Sequence, residues 1–259
     1  MAAYDEQVAA KGDVVARAFA PLTPQFIAME EWAVATLKAM TPVGDSRWLG
    51  WLGYQTARCI RIFRSCRLLL ASGHCLEALA LSRALQDSWL LVAWVAEDPD
   101  TRVRRVIEGE TMTDRRRTLT ILHELSPKDE RFADLLATVF GEEAIKGVPQ
   151  ARQLAEKHYS DQGLLLYATL YGLASAFLHG RGDELQYVAG WSGTRTFSVD
   201  PWPSMLGFNE ACLAVHEVFR AAVDQGATAA RVATATPPLL PEFSAWRDKV
   251  MKSGELTGS

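Results

Sequence analysis

Arg83 and Asp87 stand four residues apart in GHCLEALALSRALQDSWLLVAWVAED, residues 73–98, a stretch whose other side chains are mostly apolar. On a helix of 3.6 residues per turn they share one side, with Ser82 and Gln86 beside them and Leu76, Leu79, Leu90 and Trp94 closing the strip above and below. A guanidinium stays charged at any relevant pH and can hold a carboxylate or phosphate in bidentate fashion; a carboxylate one turn away can orient it. Arg before Asp is the less favourable order for an exposed pair at this spacing, which points to a tertiary role. Burying both charges costs several kcal/mol per ion unless other groups complete their hydrogen bonds. Such a helix face therefore opens onto a cavity or meets polar partners from another segment.

A second polar row offers itself as that partner. In GLLLYATLYGLASAFLHG, residues 163–180, Tyr167, Tyr171, Ser175 and His179 recur every fourth position and wind slowly along one side of an otherwise apolar helix. His179 can exchange a proton near neutral pH, Ser175 lies one turn earlier, and the tyrosines extend the row as donors or stacking surfaces. On this pattern His179 and Arg83 are the candidate catalytic residues. Asp87, Tyr171, Ser175 and Tyr167 are the candidate ligand contacts, and the expected ligand is a nucleotide, RNA or a small anion. The same residues also suit an internal hydrogen-bond network that sets helix register without chemistry. Enzyme and non-enzyme both stay open.

Standard catalytic and metal templates are missing. There is no H-E-x-x-H, no Walker loop, no G-x-S-x-G elbow and no dinucleotide fingerprint, so neither a metal nor a cofactor is expected. His74 and Cys75 near Cys66 do not follow paired-ligand spacing for zinc. Arg181-Gly182-Asp183 spells an integrin-type tripeptide in a chain whose first residues carry no export signal. His123, His158 and His216 are single histidines without evident partners and read as surface or packing residues.

A chain of 259 residues, 49% hydrophobic with a mean hydropathy of −0.01, suits a soluble globular protein. Its net charge of −4 argues against a generally basic nucleic-acid binder and leaves only local basic faces. Cys59, Cys66, Cys75 and Cys212 fall mostly in apolar helical sequence without C-x-x-C spacing, the pattern of reduced core cysteines in a cytoplasmic protein. Residues 163–180 approach the length of a membrane span, but polar interruptions and the lack of a second span favour a buried helix and no membrane.

Periodicity predicts helices over residues 4–20, 23–40, 48–71, 73–98, 99–125, 126–141, 151–179 and 204–224, with short ones near 142–146 and 243–252. Arg58, Arg61, Arg64 and Arg67 recur every third residue, which drifts around a helix; they read as a solvated side, or else as an anion-binding surface. Arg115 to Arg117 alternate with acids and read the same two ways. No alternating run is long enough for a sheet. The expected fold is all-α, a single-domain helical bundle with a long irregular loop, which could carry a short hairpin, near residues 181–203. Residues 1–46 form an N-terminal helical segment, 47–225 the bundle core and 226–259 a proline-punctuated tail. Exposed helices make a homodimer or a protein partner the alternative role.

The run ASGHCLEALALSRALQDSWLLVAWVAEDPDTRVRR resembles a widespread bacterial family of helical proteins of unknown function, in which a small-residue turn leads into an EAL-L-R-L-E helix and an acidic-Pro boundary. YGLASAFLHG, residues 171–180, is similar to that family's Tyr-x3-Ser-x3-His-Gly signature. The likeness covers about residues 48–181. Where the family has Glu one turn after its Arg, this chain has Asp87, which keeps the charge and shortens the reach. The resemblance implies a helical bundle and, more remotely, kinship with the HEPN (higher eukaryotes and prokaryotes nucleotide-binding) superfamily, whose ribonucleases use an Arg-x4-6-His motif. No arginine stands just before His179. Under that kinship Arg83 must come from the facing helix to stabilise phosphate charge while His179 acts as acid or base.

Overall fold

Apolar residues at three- and four-residue intervals fold the chain into helices over nearly all that the computed structural model describes, namely residues 2–40, 46–125, 130–141, 149–158, 189–191, 197–199, 205 and 207–253. Among these residues the helices are α1 (Ala2–Phe19), α2 (Thr23–Met40), α3 (Arg47–Ala71), α4 (Cys75–Ala96), α5 (Pro99–Leu125), α6 (Glu130–Gly141), α7 (Ala151–His158), α8 (Phe208–Ala229) and α9 (Pro241–Ser253). The all-α expectation holds. Within the segment expected as a long irregular loop, Ala189–Trp191 (β1) pairs antiparallel with Phe197–Val199 (β2), with Gly190 opposite Ser198. The rest of that segment lies outside the described residues.

Helix α4 is the hub. Every residue from 78 to 96 is buried or half-buried, the side chain of Asp87 being more open, and the helix touches α3, α5, α7 and α8. A helix apolar on every side needs neighbours on every side, which is why the most hydrophobic stretch became the centre. It is launched by a tight reversal. The amides of Gly73 and His74 bond the carbonyls of Leu70 and Leu69, and Gly73 adopts φ 84°, a left-handed conformation a side chain resists.

One core gathers α1, α2, α3, the first half of α4, α8 and α9 around Phe26, Phe63 and Phe219. Phe63 lies parallel to Phe219 at 3.9 Å and to Phe26 at 5.4 Å, so three helices meet in one aromatic column. A second core joins Trp51 and Leu52 of α3, the second half of α4, Val103 and Val106 of α5, and Leu154 of α7. Helix α6 packs on α5.

Helix α8 differs from its predicted range of 204–224, starting at Phe208 and running on to Ala229. Gly226, beyond the expected end, lies inside the helix as a packing device. A Cβ there would lie 3.3 Å from Thr56 Oγ1 and 3.4 Å from Met40, so the missing side chain lets α8 settle against α3. Past Ala229 the chain turns at Arg231, with φ 56°, and the Val232 amide bonds the Ala227 carbonyl.

Candidate functional site

The pair that opened the sequence reading is present in α4. Arg83 Nε stands 3.9 Å from Asp87 Oδ2, with the arginine side chain 19% and the aspartate 44% exposed. Leu79, Leu90 and Trp94 are buried and Leu76 half-buried, so the expected apolar frame is there. Ser82 and Gln86 are buried, and the Ser82 hydroxyl bonds back to the Leu79 carbonyl, as a serine within a helix tends to.

The neighbouring helix supplies a third charge. Half-buried Arg58 of α3 donates from Nη1 to Ser88 Oγ, which in turn donates to the Ala84 carbonyl. Burial pushes the Asp87 carboxyl above its ordinary value, while Arg83 and, after it, Arg58 pull it down. Two guanidiniums therefore act on one carboxylate. The sequence held a hint of this. With arginine every third residue around α3, the row had to split, and Arg64 and Arg67 turn instead to Glu30 of α2, at 2.6 and 3.6 Å. Ser88 gave no signal of its own.

His179, Ser175, Tyr171 and Tyr167 lie outside the described residues, so the meeting of the two polar rows is not among the observed contacts. The two described clefts fall elsewhere. One, of about 310 Å³, is lined by Trp89, Leu90, Ala93, Ala96, Glu97 and Gln225. The Glu97 carboxyl there is held down to about 2 by hydrogen bonds from Lys157 and Arg102. The other, of about 390 Å³, lies where Trp48 of α3 faces Val103 and Ile107 of α5. Neither is lined by Arg58, Arg83 or Asp87.

A second polar group was not foreseen. His216, set aside as a histidine without partners, is fully buried on α8 between the rings of Phe26 and Phe243. The Leu240 amide donates to Gln25 Oε1 at 2.8 Å, which turns the Gln25 NH2 toward His216 Nε2 at 3.2 Å. That nitrogen must accept, so Nδ1 carries the proton and donates to Glu217 Oε1 at 3.1 Å. Burial alone would raise the Glu217 carboxyl, but the His216 hydrogen bond and the Arg220 guanidinium hold it down to about 2. Gln25 and His216 are 191 residues apart, and no local pattern joins them.

All four cysteines are buried thiols outside any disulfide, and burial raises Cys59 to about 11 and Cys66 and Cys75 to about 12. These thiols are packing groups. Among the described residues no three His, Cys, Asp or Glu side chains converge as metal ligands, and no helix is long and apolar enough to cross a membrane.

No curated protein and no solved structure matches the chain. A family model described as "Family of unknown function (DUF5677)" matches residues 50–192, more than half of the chain. The matched span takes in α3 with Arg58, α4 with Arg83 and Asp87, and the positions of the Tyr-x3-Ser-x3-His-Gly motif. By that match this chain belongs to DUF5677, a family of unknown function.

Proposed function

We propose that Arg58, Arg83 and Asp87 form an anion-binding site at the contact of α3 and α4 for a small phosphate-bearing, nucleotide-like ligand. The observation that carries this is the convergence of two half-buried guanidiniums, one from each helix, on one partly exposed carboxylate that burial already disfavours. Partly desolvated arginines are strong phosphate partners, because the competing water is largely removed and the fork geometry fits two oxygens. In this reading Tyr167, Tyr171, Ser175 and His179 complete the site from the motif-bearing segment, with His179 as acid or base should the ligand be RNA. Buried, reduced thiols favour a reducing compartment, and the proposal accordingly places the protein in the cytoplasm.

Isothermal titration with ADP and with inorganic phosphate tests the binding. Arg83→Ala and Arg58→Ala should each weaken it by tenfold or more while the circular dichroism spectrum is unchanged, on the scale of a lost charge-assisted hydrogen bond worth about 1.5–3 kcal/mol. Heat signals equal in all three proteins reject the site. RNA degradation by wild type, Arg83→Ala and His179→Ala tests the HEPN-like extension; equal background cleavage in the three removes it.

One observation favours a structural reading instead. The Arg58 to Ser88 hydrogen bond already bridges α3 and α4, so the group could serve only to fix how those helices pack. Under that reading Arg58→Ala lowers stability and no anion binds.

A further inference from the structure

We infer that the distal half of α5 is a self-association surface that pairs with the same helix of a second copy, running antiparallel about a two-fold axis. Ile121, Leu122 and Leu125 are 46%, 36% and 75% exposed, a cluster of large apolar side chains in the last turns of α5. Helix α6 does not cover them. It packs on α5, whose Leu119 is buried on the opposite side, about 160° around the helix from Ile121.

The charges flanking this face select the partner. Arg117 and Glu124 are both exposed, and on a helix of 100° per residue both fall about 40–60° to the same side of Ile121. Seven residues separate them, a rise of about 10 Å, too far for a pair within one helix. An antiparallel copy centred between residues 120 and 121 brings Arg117 of each chain level with Glu124 of the other, on the same side of the interface. The two-fold axis makes that contact twice. Ile121 then meets its own counterpart near the axis, and Leu125 lies level with Arg116, about half a turn from Thr118, of the second copy. Apolar centre and charged flank are thus self-complementary in one arrangement, as an isologous interface requires. A parallel copy would instead set the two Arg117/Glu124 flanks on opposite sides of the interface, where neither charge meets its complement. Two helices crossing over this length bury on the order of 1,000 Å² in total, the lower end for specific interfaces, so a dimer of micromolar affinity is expected.

Sedimentation velocity on the full chain across the micromolar range tests the inference. Wild type should pass from monomer to dimer with concentration, and Ile121→Asp should remain monomeric throughout. Arg117→Glu and Glu124→Arg should each weaken the dimer about tenfold, since each replaces two attractions by two repulsions. The double variant Arg117→Glu/Glu124→Arg should restore it. Because both charged residues are exposed, these variants decide the matter even where Ile121→Asp fails to fold. A wild type that stays monomeric, a dimer indifferent to the charge reversals, or a double variant as weak as the singles overturns the inference. So does a monomer that instead floats with phosphatidylglycerol vesicles, which would assign the face to a lipid surface.

Discussion

Two polar groups sit in helices of similar apolar character, and they are built on opposite principles. Around His216 a chain of donors and acceptors runs from the Leu240 amide through Gln25 and the imidazole to Glu217 and Arg220. Each amide and imidazole position in it has a complementary partner, and the imidazole itself has no exposure. Around Asp87 two guanidiniums act on a carboxylate that is partly open to solvent, and among the described residues α3 and α4 bring these members together. A satisfied interior chain holds distant parts of a fold in place and has nothing left to offer a ligand. In the proposed reading a half-exposed group contributes little to stability and keeps polar atoms within reach of an anion.

The contrast can be broken by measurement, beginning where the effect is largest. Phe219→Ala, one helical turn from His216 and stacked on Phe63, should cost about 3–5 kcal/mol in urea denaturation, the range for emptying a packed aromatic position. Gln25→Leu should cost about 2–4 kcal/mol, because it strands both the Leu240 amide and His216 Nε2. Hydrogen exchange at Leu240 should rise in the same variant. A loss under 1 kcal/mol would show that water replaces the amide and that the chain is not the clamp described.

Acid titration separates the groups further. Glu217 is held at about 2 in the fold against an ordinary 4.5, so its contribution is full above that ordinary value and disappears as pH falls from about 4.5 toward 2. Glu217→Gln should remove that part of the acid-induced loss, read as a flatter melting temperature against pH over this window. Asp87 has the opposite sign. Its carboxyl is raised in the fold, so it lowers stability as pH rises through and above the ordinary carboxylate range. Asp87→Asn should therefore raise the melting temperature slightly at neutral pH relative to mildly acidic pH, the smallest effect of the set, while tightening phosphate binding a few-fold. Should it instead destabilise as much as Gln25→Leu, the two groups are alike and the ligand reading of α3 and α4 fails.

Most of the helices were legible because their periodicity is local: the hub stretch is apolar on every side, and its boundaries coincide with Gly73 and the Asp98-Pro99 step. The end of α8 was not. Gly226 and Arg231 exchange the roles that propensity assigns them, glycine serving a helix contact and arginine a left-handed turn. In the candidate site, Arg83, Asp87 and their apolar frame were legible from i, i+4 spacing. Arg58 was visible only as one of four arginines, and which of them turned toward α4 depended on where α3 lay.

The amino-acid pattern by itself determined an all-helical chain, an Arg83/Asp87 pair on the one helix that had to be central, and thiols destined for the interior. Hydrogen bonding within a turn and the one-sided burial of a helix act over a few residues, so they can be read along the chain. Tertiary structure alone decided that Arg58 joins that pair, that His216 is locked by a glutamine 191 residues away, and that one face of α5 is left uncovered. Those outcomes depend on which helices touch and at what angle, a property of side-chain shapes packed in three dimensions that no single segment encodes.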